Sequence, residues 1–346
     1  MRAVVFVEPG RVEVADVRDP VVQEPTDALV RVSRAAICGS DLHFLHAKTP
    51  TSAGEVLGHE AVGVIEDVGA DVRSVHPGDR VVVSFAAACG HCWFCARGET
   101  NLCEHAAVFG AGPFGGSLPG TQAEKVRVPW ADVNLLHVPG GVDDDRAVFV
   151  GDVLTTGFHA ASLAGTGPGD TVAVFGAGPV GWCTAASLRA LGAAKVFLLD
   201  LEPGRRALAA AAGAIPVHVG RVSSESVLAE ATGDRGVDVA IDAVGAPDVY
   251  LAATTLVRRG GRVVVAGVYA GESVELQLGV AWARALGVRF TGVCPIHLHW
   301  RQVMQLVENG ELDPRPIVSD RVRLQDAPAG YDRFDRREAT KVLIEP

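Results

Sequence analysis

The chain has 346 residues, which is enough for two domains of ordinary size. Its composition, 48% hydrophobic and 21% charged, is that of a globular protein and excludes a disordered chain. A net charge of −10 argues against nucleic acid or an anionic membrane as the main partner, because both require a basic surface on the protein.

Residues 1–152 predict a compact, mostly antiparallel β domain. Their short β-type runs are broken by Gly and Pro: AVVFVEPG, ALVRVSRAAICG, AVGVIEDVG, DRVVVSF and AEKVRVP. The chain begins directly in strand-like alternation and shows no charged-then-apolar signal segment. Seven cysteines without such a segment fit a reducing cytoplasm, so a cytoplasmic location is expected.

Two segments of this domain carry reactive side chains, ICGSDLH at 37–43 and GHE at 58–60. Cys38 offers a soft thiolate and His59 an imidazole, from neighbouring loops. Catalytic zinc takes three protein ligands and keeps a fourth position open. A third ligand must therefore come from elsewhere, and Asp152, at the junction where the sequence texture changes, is the best candidate.

A second metal site is predicted from four cysteines in the stretch ACGHCWFCARGETNLC. Two, two and seven residues separate Cys89, Cys92, Cys95 and Cys103. Two-residue gaps let thiolates converge on one zinc ion, with Zn–S bonds of ~2.3 Å, and suit disulfide geometry poorly. Four thiolates leave no open position, so this zinc is expected to be structural.

Residues 153–291 predict a second domain built on a doubly wound parallel sheet. Strand-like runs such as TVAVFG, KVFLLD and GRVVVAGV alternate with Ala-rich helical runs, which implies βαβ units. The uncharged stretch Thr171–Leu188 is long enough to span a membrane, but its central glycines favour a strand, a turn and a helix. We expect no membrane association.

Two further segments have simple interpretations. The acidic run Asp143–Asp145 predicts a solvated loop before a helix. Residues 292–346 are expected to return to the first domain, with an irregular start, one helix near Trp300–Glu308 and a final strand, KVLIEP.

A dinucleotide fingerprint follows the strand that ends at Phe175. It contains three glycines: Gly176 permits a tight turn, Gly178 lets the backbone approach a pyrophosphate, and Gly181 allows close packing of helix and strand. The N-terminus of a helix follows and supplies N–H donors. Asp200 ends the next strand, 24 residues after Gly176, where an acid grips the adenosine ribose. Its carboxylate favours NAD over NADP, although Arg205 and Arg206 keep NADP open.

Taken together, these motifs resemble the zinc-dependent medium-chain alcohol dehydrogenase family from end to end. GHE followed by Gly63, Gly69 and Val72 is similar to the zinc signature of that family, and the four-cysteine lobe and glycine fingerprint follow in the same order. The resemblance implies a GroES-like β-rich catalytic domain and a Rossmann nucleotide-binding domain. It also implies two zinc ions per chain and reversible oxidation of an alcohol to an aldehyde or ketone with NAD.

The resemblance further assigns roles to single residues. It implies a catalytic zinc held by Cys38, His59 and Asp152, an acidic third ligand being typical of a bacterial branch that includes secondary-alcohol dehydrogenases. Glu60 is a further candidate ligand when the site is empty, and Asp41 resembles the acid that orients the ligand imidazole. The implied proton relay runs from Ser40 through the cofactor ribose to His43. The remaining expected cofactor contacts are Thr156, Pro179, Val180, Arg205, Val268 and Val293.

Two alternatives stay open at this point. One is a formaldehyde-type dehydrogenase or dismutase, whose members are longer through an insertion. The other is a zincless relative, either non-catalytic or a quinone reductase, which the retained ligand residues argue against. The expected partners are a small alcohol or carbonyl compound and further copies of the chain in a homodimer or homotetramer. By position, an apolar substrate pocket would be formed by Phe85, Phe109, Phe114, Tyr269 and Cys294.

Overall fold

The computed structural model describes residues 1–193, 195–219, 224–269 and 273–346, without the side chain of Phe114. The chain divides into two compact units, one of Met1–Thr155 with Pro295–Pro346 and one of Thr156–Cys294. The boundaries predicted from the sequence, after residues 152 and 291, each lie three residues earlier.

The first unit begins with short strands joined by turns and brief helices. Strand β3 (Ala28–Ile37) alternates buried residues with more exposed ones over its first half and is fully buried at its end, Ala35–Ile37. These N-terminal elements are β1 (Arg2–Glu8), β2 (Arg11–Asp16), β3 (Ala28–Ile37), α1 (Asp41–Leu45), β4 (Glu60–Val68), β5 (Arg80–Val83), β6 (Ala86–Ala87), β7 (Ala107–Val108), β8 (Lys125–Val128), α2 (Ala131–Asn134), β9 (Leu135–His137) and α3 (Asp144–Ala147).

The second unit is a six-stranded parallel sheet with helices between its strands. Its elements are α4 (Val153–Ala164), which starts in the first unit, β10 (Thr171–Phe175), α5 (Pro179–Ala190), β11 (Lys195–Asp200), α6 (Pro203–Ala207), β12 (Ile215–His218), α7 (Ser224–Thr232), β13 (Val237–Asp242), α8 (Pro247–Leu256), β14 (Val257–Val265), α9 (Leu278–Ala283) and β15 (Gly287–Phe290). The strand order β12-β11-β10-β13-β14-β15 reverses direction at β10 and β13. This order confirms the doubly wound fold and puts a ligand crevice at the carboxyl end of β10.

The C-terminal residues complete the sheet of the first unit. They form α10 (Ile296–Glu308), β16 (Asp320–Arg323), α11 (Ala327–Asp335) and β17 (Val342–Glu345). The sheet order is β16-β17-β3-β4-β5-β9, with β8 also paired to β3, and its pairs are antiparallel except β16 with β17. Val342 of β17 lies opposite Ile37 of β3, so the last strand runs beside the residue that precedes Cys38.

The helix predicted near Trp300–Glu308 is confirmed, with an earlier start, and the prediction for the acidic run was wrong. The helix expected near Trp300 begins at Ile296, directly after Pro295, because Ile296 and Trp300 share one buried face of the helix. The acidic run is not a solvated loop: Asp143 caps α3, and Asp145 is paired with Arg34 and Arg321. These ion pairs tie α3 to β3 and β16.

Among the described residues, no single helix is long and apolar enough to cross a membrane. A bent pair of helices, Asp144–Gly151 and Val153–Ala164, meets these criteria of length and composition together, with a bend of 53°. The uncharged stretch from Thr171 folds as β10, a glycine turn and α5, as its glycines predict.

Helix α10 also carries a histidine whose protonation should destabilise the fold. His297 donates from Nε2 to Asn134 Oδ1 at 2.9 Å and packs edge-on against Trp300. Its Nδ1 is buried and meets no hydrogen-bond partner among the described residues, and burial lowers the pKa of His297 to about 4.

The sign of the pH effect follows from that lowered pKa. The unfolded chain takes up a proton at the ordinary histidine pKa of ~6.5 while the folded chain resists it, so stability is present above that pH and is lost toward pH 4. We expect wild type to lose about 2 kcal/mol more unfolding free energy than His297→Gln between pH 7 and pH 5, measured by urea titration. His46→Gln serves as the control, and equal losses in wild type and His297→Gln would contradict the prediction.

Candidate active site

Four buried side chains of the first unit converge at the ends of neighbouring strands. Cys38 follows β3, Glu60 begins β4 directly after His59, and Asp152 immediately precedes α4. Antiparallel pairing places Ala36 opposite Glu60, which brings the ends of β3 and β4 together. One donor atom from each of Cys38, His59, Glu60 and Asp152 lies within 4.8 Å of all the others.

Three of these donors form a set that suits zinc. The Sγ of Cys38 lies 3.7 Å from Asp152 Oδ2, and His59 Nε2 lies 3.3 Å from the same oxygen. Thiolate, imidazole and carboxylate are the three kinds of ligand that zinc takes in proteins. These side chains could therefore hold a zinc ion and leave a fourth position to a substrate.

The second nitrogen of His59 faces a buried acid. His59 Nδ1 lies 3.2 Å from Asp41 Oδ1. Burial lowers the pKa of His59, but Asp41, Cys38 and Asp152 together outweigh burial and hold this pKa well above its usual value. The other oxygen of Asp41 accepts hydrogen bonds from the Cys38 N–H and from Gln122 Nε2. Gln122 in turn accepts a hydrogen bond from the Tyr331 hydroxyl at 2.7 Å. Asp41 is thus held in place by backbone and side chains, as an acid that orients an imidazole must be.

Glu60 is paired with a lysine that the sequence did not single out. Lys341 Nζ lies 2.8 and 2.6 Å from the two carboxylate oxygens of Glu60, and both residues are 0% exposed. Burial raises the pKa of Glu60, and the ammonium of Lys341 opposes that rise. Both oxygens of this predicted candidate ligand are therefore engaged by a cation.

The two predicted catalytic residues lie on or beside α1. The hydroxyl of Ser40 is 3.1 Å from His59 Nε2, the nitrogen that faces Asp152. His43 lies on α1 and is half-buried. Phe85 packs edge-on against the His59 ring, with 6.2 Å between ring centroids.

The four cysteines of the predicted structural site are also assembled. One sulfur from each of Cys89, Cys92, Cys95 and Cys103 lies within 4.8 Å of the others, and every cysteine of the chain is free of disulfides. Backbone N–H groups of Cys89 and His105 point at the Cys103 sulfur at 3.3 Å. The backbone N–H of Cys95 lowers the pKa of Cys92 to about 6. Backbone donors thus favour the thiolate form of Cys92, which is the form that binds metal, whereas burial raises the pKa of Cys103 and raises that of Cys95 to about 12.

In the second unit the glycine turn is packed too closely to admit a side chain at two of its glycines. Gly176 has φ +93°, and a Cβ there would lie 2.6 Å from a Val244 methyl carbon. A Cβ on Gly181 would lie 1.7 Å from the carbonyl oxygen of Gly176. Gly178 caps α5, with Pro179 and Val180 opening the helix, so free N–H groups face the turn. These features fit a dinucleotide pyrophosphate.

Asp200 lies beside this turn with both oxygens fixed. They accept hydrogen bonds from the N–H groups of Ala177 at 2.7 Å and Glu202 at 2.8 Å. Arg206 donates to the carbonyl oxygens of Asp200 and Leu201, whereas Arg205 Nη1 lies 3.8 Å from where a Gly178 Cβ would be.

The other predicted contacts are more scattered. Val268 and Val293 line an apolar cavity of 510 Å³ in the second unit, while Thr156 is half-buried on α4. The hydroxyl of Tyr269, which also lines the cavity, donates to Asp242 at 2.7 Å. Of the other residues predicted to form a substrate pocket, Phe109 and Cys294 are buried, and the side chain of Phe114 lies outside the described residues.

Comparisons with known proteins agree with this geometry. Residues 24–140 match the alcohol dehydrogenase GroES-like domain family, and residues 179–309 match the zinc-binding dehydrogenase family. The solved alcohol dehydrogenase TADH from Thermus sp. ATN1 is 43% identical, with a TM-score of 0.96 over 100% of this chain and 99% of that chain. The glutathione-independent formaldehyde dehydrogenase of Pseudomonas aeruginosa is 34% identical over 100% of this chain and 97% of its own length.

The chain belongs to the zinc-dependent medium-chain alcohol dehydrogenase family. A putative zinc-binding dehydrogenase from Sinorhizobium meliloti 1021, solved bound to NADP, is 31% identical with a TM-score of 0.89 over 100% of this chain and 99% of that one. Membership makes the chain an oxidoreductase of alcohols that uses zinc, and the assembled ligand clusters argue against the zincless alternative.

For this dehydrogenase, three residues that hold Asp41 and Glu60 in place were not predicted from the sequence. Gln122, Tyr331 and Lys341 come from β8, α11 and β17 or their flanks, distant in sequence from Cys38. A signal existed for Lys341 alone, since it is one of four lysines and directly precedes an apolar strand.

Proposed function

We propose that the chain is an NAD-dependent alcohol dehydrogenase whose catalytic zinc is held by Cys38, His59 and Asp152. The observation that carries the proposal is the convergence of a sulfur, an imidazole nitrogen and a carboxylate oxygen in one buried cluster beside the Ser40 hydroxyl. A second, structural zinc is assigned to the four-cysteine lobe.

The side chains around the site would act as follows. When bound, zinc supplies a Lewis acid that favours loss of the alcohol proton, and the nicotinamide supplies a hydride acceptor. Ser40 Oγ would accept that proton while releasing its own hydroxyl proton toward His43, which would pass a proton on to solvent. Asp41 holds the His59 ring so that Nε2 faces the site. The Phe85 ring presents an apolar surface beside the cluster, and this surface favours an apolar alcohol.

Replacing Ser40 tests the first step of this proton path. Ser40→Ala should lower kcat for alcohol oxidation by about ten- to a thousandfold, because general acid–base groups contribute rate factors of this order. His43→Gln should cost only ~10-fold, mostly below neutral pH, since water can replace a half-buried base. Ser52→Ala, at an exposed serine, is the control, and near-wild-type turnover in Ser40→Ala would remove the hydroxyl from the path.

NAD is the proposed cofactor because of the charge at Asp200. The carboxylate can accept bonds from the ribose hydroxyls, which contribute on the order of 1.5–3 kcal/mol, and it would repel a 2′-phosphate. Arg206 is engaged by two backbone carbonyl oxygens and would have to leave them to meet a phosphate. Because a relative from S. meliloti was solved bound to NADP, the choice between NAD and NADP has to be measured for each member of the family.

The cofactor preference gives a quantitative prediction. Wild type should prefer NAD by at least ~100-fold in kcat/KM, since each 1.4 kcal/mol corresponds to about tenfold. Asp200→Ser should weaken use of NAD and open the site to NADP, with Arg205 the nearer cation. Glu230→Gln removes an equal charge from an exposed position on α7 and should change neither value. Wild type that used both cofactors equally would overturn the role of Asp200.

A formaldehyde dehydrogenase is the second candidate, because such an enzyme from P. aeruginosa matches the whole chain. That alignment runs over 393 positions against the 346 residues here, so the relative has at least 47 residues with no counterpart in this chain. We therefore favour an alcohol substrate. Steady-state rates with NAD and a panel of primary alcohols, secondary alcohols, polyols and formaldehyde test this choice, and activity restricted to formaldehyde would reverse it.

A further inference from the structure

Two exposed histidines lie at the surface of the four-cysteine lobe. His91 falls between Cys89 and Cys92, and His105 is two residues beyond Cys103. Their ring centroids are 6.0 Å apart, with 31° between the ring planes. A ring nitrogen of each and the Cys89 sulfur all lie within 4.8 Å of one another, so the three side chains form a cluster of metal-binding groups.

The carbonyl oxygen of Cys89 fixes the tautomer of His91. Its Nδ1 lies 2.9 Å from the carbonyl oxygen of Cys89, and a carbonyl oxygen can only accept a hydrogen bond. Nδ1 therefore carries the proton and Nε2 keeps its lone pair. Imidazoles that bind metals are oriented in this way, with the other nitrogen donating to a backbone carbonyl or a carboxylate.

The Cys89 sulfur can serve both clusters. It is one of the four sulfurs of the lobe, where an N–H group of Cys92 already points at it at 3.4 Å. A thiolate has further lone pairs and is a soft ligand, and imidazole suits zinc, cobalt and nickel. Cys89 is buried while the two imidazoles are exposed, so an ion held here would lie between solvent and the interior of the lobe.

We propose that His91, His105 and the Cys89 sulfur form a third metal site, which takes a borderline-soft divalent cation such as Zn²⁺ or Co²⁺. It is open to solvent and exchanges its ion, unlike the two zinc sites of the proposed function. Because Cys89 belongs to both clusters, an ion can pass from the imidazoles to the four-thiolate lobe without ever losing that sulfur.

Equilibrium dialysis of the zinc-loaded protein tests the proposal. With micromolar free Zn²⁺ outside, wild type should hold one zinc ion per chain more than after dialysis against zinc-free buffer. His105→Gln and His91→Gln should each lose that additional ion and keep the tightly held zinc. His46→Gln is the control, because that exposed imidazole is paired with Asp335 and not with a second imidazole. The count of tightly held zinc separates a failure here from a failure of the proposed function.

Cobalt provides an independent readout. The His105 ring lies 6.4 Å from the Trp130 ring, so Co²⁺ bound there should quench Trp130 fluorescence. We expect saturable quenching in wild type and in His46→Gln, and its loss in His105→Gln and in Trp130→Phe. Equal zinc counts with and without free zinc, or an additional ion retained by His105→Gln, would overturn the third site.

Discussion

Turnover should fall at least about a thousandfold when Cys38 is replaced by alanine. The sulfur is one of three donors of the proposed catalytic zinc, and a Lewis acid contributes several kcal/mol to such a reaction, with each 1.36 kcal/mol worth a factor of ten. The fold should stay intact, because Cys38 follows the end of β3 and lies outside every helix and strand. The measurement is kcat/KM with NAD and the best alcohol of the panel, beside thermal unfolding of the same variant.

Two other cysteines serve as comparisons for Cys38. Cys95→Ala opens the four-thiolate lobe and should lower thermal stability, because a structural zinc contributes folding energy directly. Cys183→Ala removes a buried thiol from α5 and should retain turnover. Turnover within tenfold of wild type in Cys38→Ala would contradict the assignment of this residue as a ligand.

The second large effect is expected at Lys341. Replacing Lys341 with methionine leaves the Glu60 carboxylate buried without its cation, which costs about 3–5 kcal/mol for a buried pair. The double variant Glu60→Gln with Lys341→Met removes both charges and should recover much of that loss. Urea titration of unfolding free energy provides the measurement.

A surface ion pair provides the matched control. Lys125 pairs with Glu66 at 2.8 Å, but both side chains are about one third exposed. Lys125→Met should therefore cost less than about 1 kcal/mol. If Lys341→Met cost no more than Lys125→Met, the buried pair would not stabilise the fold as described.

The features that the sequence predicted are local ones. The gaps between the four cysteines, the glycine turn before α5 and the alternation of strands and helices lie within short stretches of chain. The spacing of residues in the sequence is therefore enough to predict the four-cysteine metal site, the nucleotide turn and the parallel sheet. Asp200 belongs to this group, because its place at the end of β11 follows from its distance to Gly176.

The features that escaped prediction depend on long-range pairing. Lys341 reaches Glu60 only because Val342 pairs with Ile37 across the sheet. Tyr331 reaches Asp41 through Gln122, and no local pattern connects these three residues. The prediction of a solvated loop at Asp143–Asp145 was wrong for the same reason, since Arg34 and Arg321 approach Asp145 from distant strands.

Zinc content per chain is the most direct test of a catalytic metal at Cys38, His59 and Asp152. Wild type, Cys38→Ala and Cys95→Ala are dialysed against zinc-free buffer, and the remaining zinc is counted by mass spectrometry. We expect two tightly held ions in wild type, one in Cys38→Ala with turnover lost, and one in Cys95→Ala with thermal stability reduced. Two zinc ions in Cys38→Ala, or full turnover with one, would contradict a catalytic zinc at this cluster.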